Sequence, residues 1–277
     1  MTFAGTTPKG ALLALILSIL PLTLPAAAPD AAAGSFRLGL TAHAFDYEEY
    51  DDRDNSLDRE RGLLPGLSIG ATLERERWLV EGSLRYCAGE VDYTSAAVDS
   101  KTDEAILDLQ LTGGVRLYRE ASQGLSLLAG AGYRRWSREI HSTATVDGLG
   151  ETYRWSYGLI GLRGDQALDD HTRLVADLSL TRSFNPRLDV DFIRYFDDTR
   201  LDLGAKNGFR ASLDLQRELG AGRTLWVKPW YEYWQLGRSS DATLTINGIP
   251  TGTLFEPDSE TRDWGIDIGL SWRFPGG

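Results

Sequence analysis

The chain has 277 residues, a length that suits one large domain or two small ones. Its formal net charge of −11 argues against nucleic acid as a partner, because an acidic protein repels the phosphate backbone. Cys87 is the single cysteine, so the chain cannot form an internal disulfide, and we expect Cys87 to be a small buried residue.

The N-terminus has the pattern of a secretory signal peptide. Lys9 is the only charged residue before an apolar run, and three consecutive alanines ending at Ala28 provide a cleavage site. The apolar run is too short to cross a membrane as a helix. We therefore expect a signal peptide over 1–28, cleaved after Ala28 or after Ala33, and one exported domain over 29–277.

Ten segments of the exported chain alternate between apolar and polar side chains, as β-strands with two unlike faces do. In the fourth segment, Leu107, Leu109 and Leu111 share one face, whereas Asp108 and Gln110 share the other. The ten predicted strands are 35–45, 63–74, 78–89, 105–118, 125–136, 152–163, 172–183, 201–217, 224–238 and 262–274.

The connections between these strands alternate between short and long. The short ones are 75–77, 120–124, 164–171 and 219–223, and the long ones are 46–62, 90–104, 137–151, 185–200 and 239–261. Outer-membrane barrels have short periplasmic turns and long outer loops, and an even strand number places both termini in the periplasm. A soluble β-sandwich, the main alternative, does not require this alternation.

Aromatic and large apolar residues occur near both ends of the predicted strands, on the parity assigned to lipid. The predicted outer girdle consists of Tyr86, Tyr133, Tyr153, Trp155, Tyr233 and Trp264, and the inner girdle of Trp78, Leu117, Trp272 and Phe274. Two such girdles mark the two interfaces of a membrane. The sequence therefore predicts an all-β, transmembrane, antiparallel up-and-down barrel of ten strands, integral to the outer membrane of a Gram-negative bacterium.

The last predicted strand carries a more specific pattern. Its alternating residues, which include Trp264, Trp272 and Phe274, resemble the C-terminal signature of the bacterial outer-membrane β-barrel superfamily, although Pro275, Gly276 and Gly277 follow the final aromatic residue. In that superfamily the signature implies recognition by the barrel-assembly machinery. Ten strands is also the size of the omptin proteases and of some adhesin barrels, an analogy that rests on strand number.

The parity assigned to the lumen is strongly charged. The predicted lumen network consists of Glu81, Arg85, Asp108, Arg116, Arg154, Asp177, Arg210, Asp214, Lys228, Glu232 and Asp267. Isolated charges in a narrow lumen are costly, so we expect these side chains to pair with one another. A ten-stranded barrel is also narrow, because porins need sixteen strands or more. We therefore expect a largely closed lumen, with a narrow polar pathway as the alternative.

Three tryptophans share the lumen parity of the ninth strand. Trp226, Trp230 and Trp234 follow one another at every fourth position, and Trp136 is expected at a similar height. One interpretation is a stacking platform for a sugar or an apolar chain, formed by Trp234, Trp230 and Trp136. The other interpretation is that these side chains fill volume between the charges.

The first long loop is acidic. The spacing of Asp52, Asp54, Asp58 and Glu60 lacks the turn glycine of an EF-hand, so we expect a solvated loop. Bridging of such acidic outer loops by Ca²⁺ or Mg²⁺ to lipopolysaccharide phosphates is the alternative, and we expect no other cofactor or metal site.

Two other outer loops have distinctive compositions. The fourth long loop, 185–200, combines Phe192, Tyr195 and Phe196 with several aspartates, which is typical of a contact surface or of a lid over the barrel mouth. The last loop contains Asn247-Gly248, a hairpin signal that predicts strands extending beyond the membrane.

Catalysis has few candidate residues. His43 is expected to face inward near the outer end, His141 lies beside Ser142 in an outer loop, and the Asp–x–His spacing of omptins is absent. His43 is the best candidate for a base, although the balance is against an enzyme. We expect a structural or loop-mediated binding or adhesion role. The alternatives are a porin-like narrow channel or binding barrel for a small or amphiphilic ligand, and an omptin-like or lipid-directed surface hydrolase.

Overall fold

The computed structural model describes residues 33–274, so the predicted signal peptide and the last three residues lie outside the described part. The strands are β1 (Ala33–Tyr50), β2 (Ser56–Glu74), β3 (Trp78–Ser95), β4 (Asp99–Arg119), β5 (Gln123–Ile140), β6 (Leu149–Ala167), β7 (Thr172–Phe192), β8 (Thr199–Asp202), β9 (Gly204–Ala205), β10 (Asn207–Gly220), β11 (Arg223–Gly237), β12 (Ala242–Ile246), β13 (Ile249–Leu254) and β14 (Asp258–Phe274). Within 33–274 there is no helix of the length and apolarity needed to cross a membrane.

Ten of these strands close into an antiparallel barrel, as the sequence predicts. Strands β1 to β7 pair in chain order, β7 continues to β10, β11 and β14, and β14 returns to β1. The short strands β8 and β9 extend the wall at the outer end by pairing with β7 and β11. The hairpin of β12 and β13 forms a separate two-stranded sheet.

The strands extend further outward than the sequence pattern indicates. Strand β1 continues to Tyr50 and β7 to Phe192, whereas alternation predicts ends near 45 and 183. Beyond the lipid the outward face of a strand becomes polar, whereas the inward face carries core residues such as Leu188 and Val190 of β7. The lipid-facing apolar pattern therefore ends although the pairing continues. The periplasmic turns stay short, at 75–77, 120–122, 168–171 and 221–222.

The outward face of the barrel carries an apolar belt. Its exposed side chains include Leu40, Leu63, Leu111, Leu117, Ile160, Leu180 and Ile268. Trp264 marks the outer edge of the belt, and Trp78 and Phe274 mark the inner edge. A belt of this kind between aromatic residues is the surface that a membrane barrel presents to lipid.

The facing of β6 differs from the prediction. Tyr153 and Trp155 were expected in the outer girdle, but they are 0% and 3% exposed inside the barrel, whereas Arg154 points outward. The lipid-facing parity of β6 is set by Ile160 and Leu162, which are exposed. The outer half of the lumen is aromatic, so an aromatic residue near a strand end does not by itself indicate a girdle.

Candidate functional site

The periplasmic half of the lumen contains paired charges around two small cavities. Arg163 lies between Glu81 at 3.0 Å and Asp177 at 2.7 Å, and Arg37 donates to Asp214 at 2.8 Å. The cavities have volumes of about 120 Å³ and 160 Å³, and Lys228 lines both. Among the described residues no carboxylate lies within ion-pairing distance of Lys228.

The middle of the lumen is organised around Glu232. Its carboxylate accepts hydrogen bonds from three guanidinium groups, those of Arg85, Arg134 and Arg210, with Arg134 at 2.9 Å. Asp108 accepts from the Tyr157 hydroxyl at 3.0 Å and pairs with Arg210. These contacts join six barrel strands across the lumen, and Glu232, Arg134, Asp108 and Tyr157 are buried.

The other residues of the predicted lumen network lie in several places. Arg116 pairs with Glu74 at the inner end, and Asp267 accepts from the Trp230 indole at 3.1 Å. Arg154 is not a lumen residue, because β6 directs it outward to Asp189. Because the predicted facing of β6 is reversed, Arg163 was not identified from the sequence as the inward arginine of this strand. Arg37 was also missed, since its strand is mostly apolar at that end.

The inward tryptophans are covered by arginines. The Arg37 guanidinium lies 5.0 Å from the Trp226 ring, and the Arg85 guanidinium lies 3.9 Å from the Trp230 ring. Trp234 lies 5.5 Å from the Arg134 guanidinium. Each of these indole rings therefore has an arginine in cation–π contact with it.

An aromatic cluster closes the outer half of the lumen. Trp136 stacks on Tyr153 with ring centroids 4.5 Å apart and meets Tyr47 edge-on at 4.8 Å. Trp155 and Trp234 pack edge-to-face beside them. The cluster also includes Phe45, Leu64, Cys87, Val91, Ile106, Leu188, Val190, Leu201 and Leu236, all buried. Trp136 is thus part of a packed core rather than an open platform.

Above this cluster, beyond the lipid belt, several carboxyl groups surround one arginine. Arg138 lies 3.2 Å from Glu49, 3.1 Å from Glu60 and 3.2 Å from Glu151. Burial raises the pKa of Glu151 to about 7, although Arg138 opposes the shift. Burial, reinforced by the charge of Glu49, also raises the pKa of Glu256 well above its usual range. We call Glu49, Asp58, Glu60, Glu104, Glu151, Glu256 and Arg138 the outer carboxyl cluster.

The predicted acidic loop does not form one site. Asp52 and Asp54 lie on an exposed turn, whereas Glu60 is fully buried and accepts from Thr102 at 2.6 Å. Burial raises the pKa of Asp58 to about 7. The expectation of a wholly solvated loop is wrong at Glu60, because β2 extends far enough to turn this side chain into the barrel. Within 33–274 no set of three or more His, Cys, Asp or Glu has metal-binding geometry.

The two candidate histidines have different surroundings. His43 is 1% exposed, its Nε2 lies 3.2 Å from Asp263 Oδ1, and its ring packs on Trp230. It is therefore sealed between the middle layer and the aromatic cluster. His141 is exposed at the outer end, where its Nε2 lies 3.1 Å from Asp103 Oδ2. No local spacing signals this pair, because its members lie on different strands.

Two outer loops are joined through Asp197. Its carboxylate accepts from the Thr245 hydroxyl at 2.6 Å and from the Gly248 amide at 2.8 Å, and the Asp197 amide donates to the Thr245 carbonyl. The hydrogen bond from Thr245 is the main cause that lowers the pKa of Asp197, so the docked form is ionised at neutral pH. We call residues 193–198 together with the β12–β13 hairpin the loop surface. Its exposed apolar side chains are Ile193, Tyr195, Phe196 and Ile249.

Comparisons with known proteins identify the architecture. The sequence matches no protein-family model and no curated protein. Among solved structures, the chain is similar to the outer-membrane protease OmpT of Escherichia coli, with a TM-score of 0.64 and 11% identity over 89% of this chain and 97% of that chain. Matches with TM-scores too low to support an argument include the outer-membrane protein OprG of Pseudomonas aeruginosa, at 0.44 with 11% identity over 88% and 97% of the two chains. Another is the attachment invasion locus protein Ail of Yersinia pestis, at 0.33 with 10% identity over 87% and 99%. At such identities the likeness shows the fold alone, which is that of an outer-membrane β-barrel.

Proposed function

We propose that this outer-membrane barrel is closed to solutes and acts through its outer end, where the loop surface binds a partner outside the cell. The observation that carries this proposal is the combination of a lumen filled over its outer half and apolar loop tips that are held in place yet exposed. Neither feature alone would distinguish a binding barrel from a channel or from an inert structural protein.

The filled lumen supports the first part. A solute would have to cross the Glu232 layer and then the aromatic cluster, both of which are packed and buried. Removing one partner from a buried ion pair costs roughly 3–5 kcal/mol. Opening a path through several such pairs would therefore cost a large part of the stability of the barrel.

The loop surface supports the second part. Tyr195 is 73% exposed and Ile249 is 66% exposed, although both lie in segments fixed by the hydrogen bonds of Asp197. Exposed apolar groups on an ordered segment mark contact sites, and prior ordering reduces the entropic cost of binding. The acidic charge of the chain favours a basic partner.

Single-channel recording tests the closed lumen. The mature chain is refolded into planar bilayers, and we expect no steady conductance from barrels that have inserted correctly. Steady conductance, altered by Asp108→Asn, would instead establish a channel through the Glu232 layer and contradict the proposal.

Cell-surface display tests the loop surface. Cells that display the protein are passed over beads coated with an alkylamine, which is both cationic and apolar, and we expect retention. The triple variant Tyr195→Ser, Phe196→Ser, Ile249→Ser should reduce retention to the level of cells without the protein. The matched control, Leu57→Ser with Val146→Ser, removes exposed apolar residues from other parts of the outer end and should retain binding. Equal loss in both variants would refute a specific surface.

Hydrolysis at the outer surface is a second candidate, favoured by the exposed Asp103–His141 pair. A carboxylate that orients an imidazole is the minimum needed for a general base that activates water. The test is turnover of fluorogenic peptides and lipid esters by the refolded chain. Activity lost in His141→Ala but kept in His43→Ala would establish this function, and absence of turnover would eliminate it.

A further inference from the structure

Three arginines form a row across the outward face of the barrel. Arg135 of β5 lies directly opposite Arg154 of β6, and Arg154 lies directly opposite Arg187 of β7. All three side chains point away from the lumen, since their neighbours Trp136, Tyr153 and Leu188 are buried inside. We call these three residues the arginine row.

Such a row is unfavourable unless something neutralises it. Like charges directly opposite one another on neighbouring strands destabilise a sheet. Asp189 pairs with Arg154, and Asp202 pairs with Arg187 at 3.3 Å. Arg135 has no carboxylate within ion-pairing distance anywhere in 33–274. The protein therefore supplies too few anions for the arginines that it places together.

The row lies immediately above the lipid belt. Tyr133 precedes Arg135 on the same face of β5, and Leu107 lies opposite Arg135 on β4. Arg182, which also faces outward on β7, donates only to the Asn207 side chain, at 3.0 Å. This sector thus presents guanidinium groups at the height where acyl chains end and lipid head groups begin.

The remainder of the outward face has the opposite character at this height. Strand β1 presents Asp46 and Glu48, and β3 presents Glu90 and Asp92. In those sectors the basic side chains, such as Arg59 with Asp46 at 2.7 Å, are paired to carboxylates. An arginine row on an otherwise acidic protein is therefore a local feature of β5, β6 and β7.

We infer that the arginine row is a binding site for phosphate groups of the outer-leaflet lipid, with a phosphorylated glycolipid as the ligand. Guanidinium groups bind phosphate in a bidentate, charge-assisted manner, and basic groups at a membrane interface recruit anionic head groups. The position of the row on the lipid-facing wall selects a lipid rather than a free anion. The tyrosine and leucine below the row would contact the apolar part of the same molecule.

Native mass spectrometry in a neutral detergent tests this inference, with diphosphoryl lipid A as the probe. We expect the refolded chain to retain this lipid and to release the same lipid after its phosphates are removed. Arg135→Gln with Arg154→Gln and Arg187→Gln should weaken retention at least tenfold. Equal retention of both lipids, or full retention by the triple variant, would overturn the inference. Displacement of the lipid by millimolar inorganic phosphate would overturn the choice of a lipid.

A charge-matched control and a conservative variant complete the experiment. Arg59→Gln with Arg61→Gln and Arg262→Gln removes three outward arginines from the acidic sectors and should leave retention unchanged. If this control lost as much lipid retention as the arginine-row variant, the effect would depend on net charge alone and not on a specific site. If the triple variant fails to fold, Arg135→Gln alone decides, because Arg135 has no ion-pair partner to lose. Retention equal to that of the unmodified chain would then refute the site.

Discussion

At the residue scale, the central feature is the dependence of three arginines on one carboxylate. Glu232 accepts from Arg85, Arg134 and Arg210, which come from three different strands. Burying three guanidinium groups without a counter-charge is costly, because desolvation is no longer offset by attraction. Other acids of the layer, Asp108 and Asp263, contact one arginine each.

We therefore predict that Glu232→Gln lowers the free energy of unfolding by about 3–5 kcal/mol, the cost of removing one partner from a buried ion pair. Urea unfolding in lipid vesicles, followed by tryptophan fluorescence, measures it. The control Glu90→Gln removes an exposed carboxylate that lies near Lys101 and should change stability by less than about 1 kcal/mol. Similar losses in the two variants would show that Glu232 does not hold the layer together.

The sequence predicts the inward residues well where a strand offers one clear apolar face. Leu109 and Leu111 define the facing of β4, and Asp108 follows from them. Strand β6 offers no such contrast at its outer end, because Tyr153 and Trp155 have the composition of a girdle but pack in the core. The error at Arg154 and the omission of Arg163 both follow from this ambiguity, which only Ile160 and Leu162 resolve.

At the element scale, each barrel strand has one face that contacts lipid and one face that lines the lumen. In β4, Leu109 is exposed to lipid, whereas the neighbouring Asp108 is 3% exposed inside the barrel. A polar or charged substitution should therefore impair insertion at a lipid-facing position far more than at the neighbouring lumen-facing position. This contrast is a direct test of the facing of a strand.

We expect Leu109→Arg to impair insertion, because an arginine on the lipid-facing wall costs roughly 2–4 kcal/mol at the bilayer midplane and less towards the interfaces. Asp108→Asn should not impair insertion comparably, because its amide oxygen can still accept from Tyr157 and Arg210. The folded fraction after refolding into vesicles, read from gel mobility without heating, gives the comparison. If both changes were equally tolerated, the facing assigned to β4 would be wrong.

Strand ends were less predictable than strand facings, for a physical reason. Alternation reports the contrast between lipid and lumen, and that contrast ends at Tyr133 and Trp264. Above these residues β5 and β14 continue as paired strands, but the outward face is polar and the apolar residues, such as Trp136 of β5, lie inside the barrel. A search for an apolar face towards lipid therefore ends the strand too early, although hydrogen bonds maintain the extension.

At the scale of the whole molecule, the outer carboxyl cluster couples distant parts of the chain. Glu256 accepts from the Tyr153 hydroxyl at 2.5 Å. Its backbone amide donates to the Ser239 hydroxyl, and its carbonyl accepts from the Ser239 amide. It thereby holds the outer insertion, residues 238–257, against the barrel. The cluster has many more carboxyl groups than arginines, so its stability depends on protons.

We predict that the outer insertion is held more firmly at pH 5 than at pH 8. Folding raises the pKa of Glu151 to about 7 and that of Glu256 well above its usual range, so the folded state binds these protons more tightly than the unfolded state. The resulting stabilisation is complete below the ordinary pKa of about 4 and declines as pH rises through 7. Hydrogen exchange of 238–257, corrected for intrinsic rates, should report this change.

Two variants separate the cluster from other carboxylates in that measurement. Glu151→Gln is neutral at every pH and should reduce the difference between pH 5 and pH 8, because the pKa of Glu151 lies in that range. Asp241→Asn changes an exposed carboxylate of the same insertion and should preserve the difference. Protection that is independent of pH in the unmodified chain would contradict the role of the cluster.

The contacts of the outer end lay beyond sequence analysis because they are distant along the chain. The hairpin signal at Asn247-Gly248 was readable, and both residues have positive φ as such a turn requires. The docking of this hairpin onto Asp197 could not be predicted from the sequence, since nothing in a polar loop distinguishes one aspartate from another. The loop surface and the Asp103–His141 pair are therefore products of the fold rather than of local motifs.

The closing seam between β1 and β14 also constrains how the protein folds. Gly34 is paired with Phe274, so the seam forms only after residues from the two ends of the described chain meet. Joining such distant segments has the largest loop-closure cost of any pairing in the barrel, which makes it a slow step. Until it is complete, β1 and β14 each present unpaired backbone groups that can pair with another molecule. Refolding yield is therefore governed by competition between intramolecular closure, which is independent of concentration, and intermolecular strand addition, which increases with concentration.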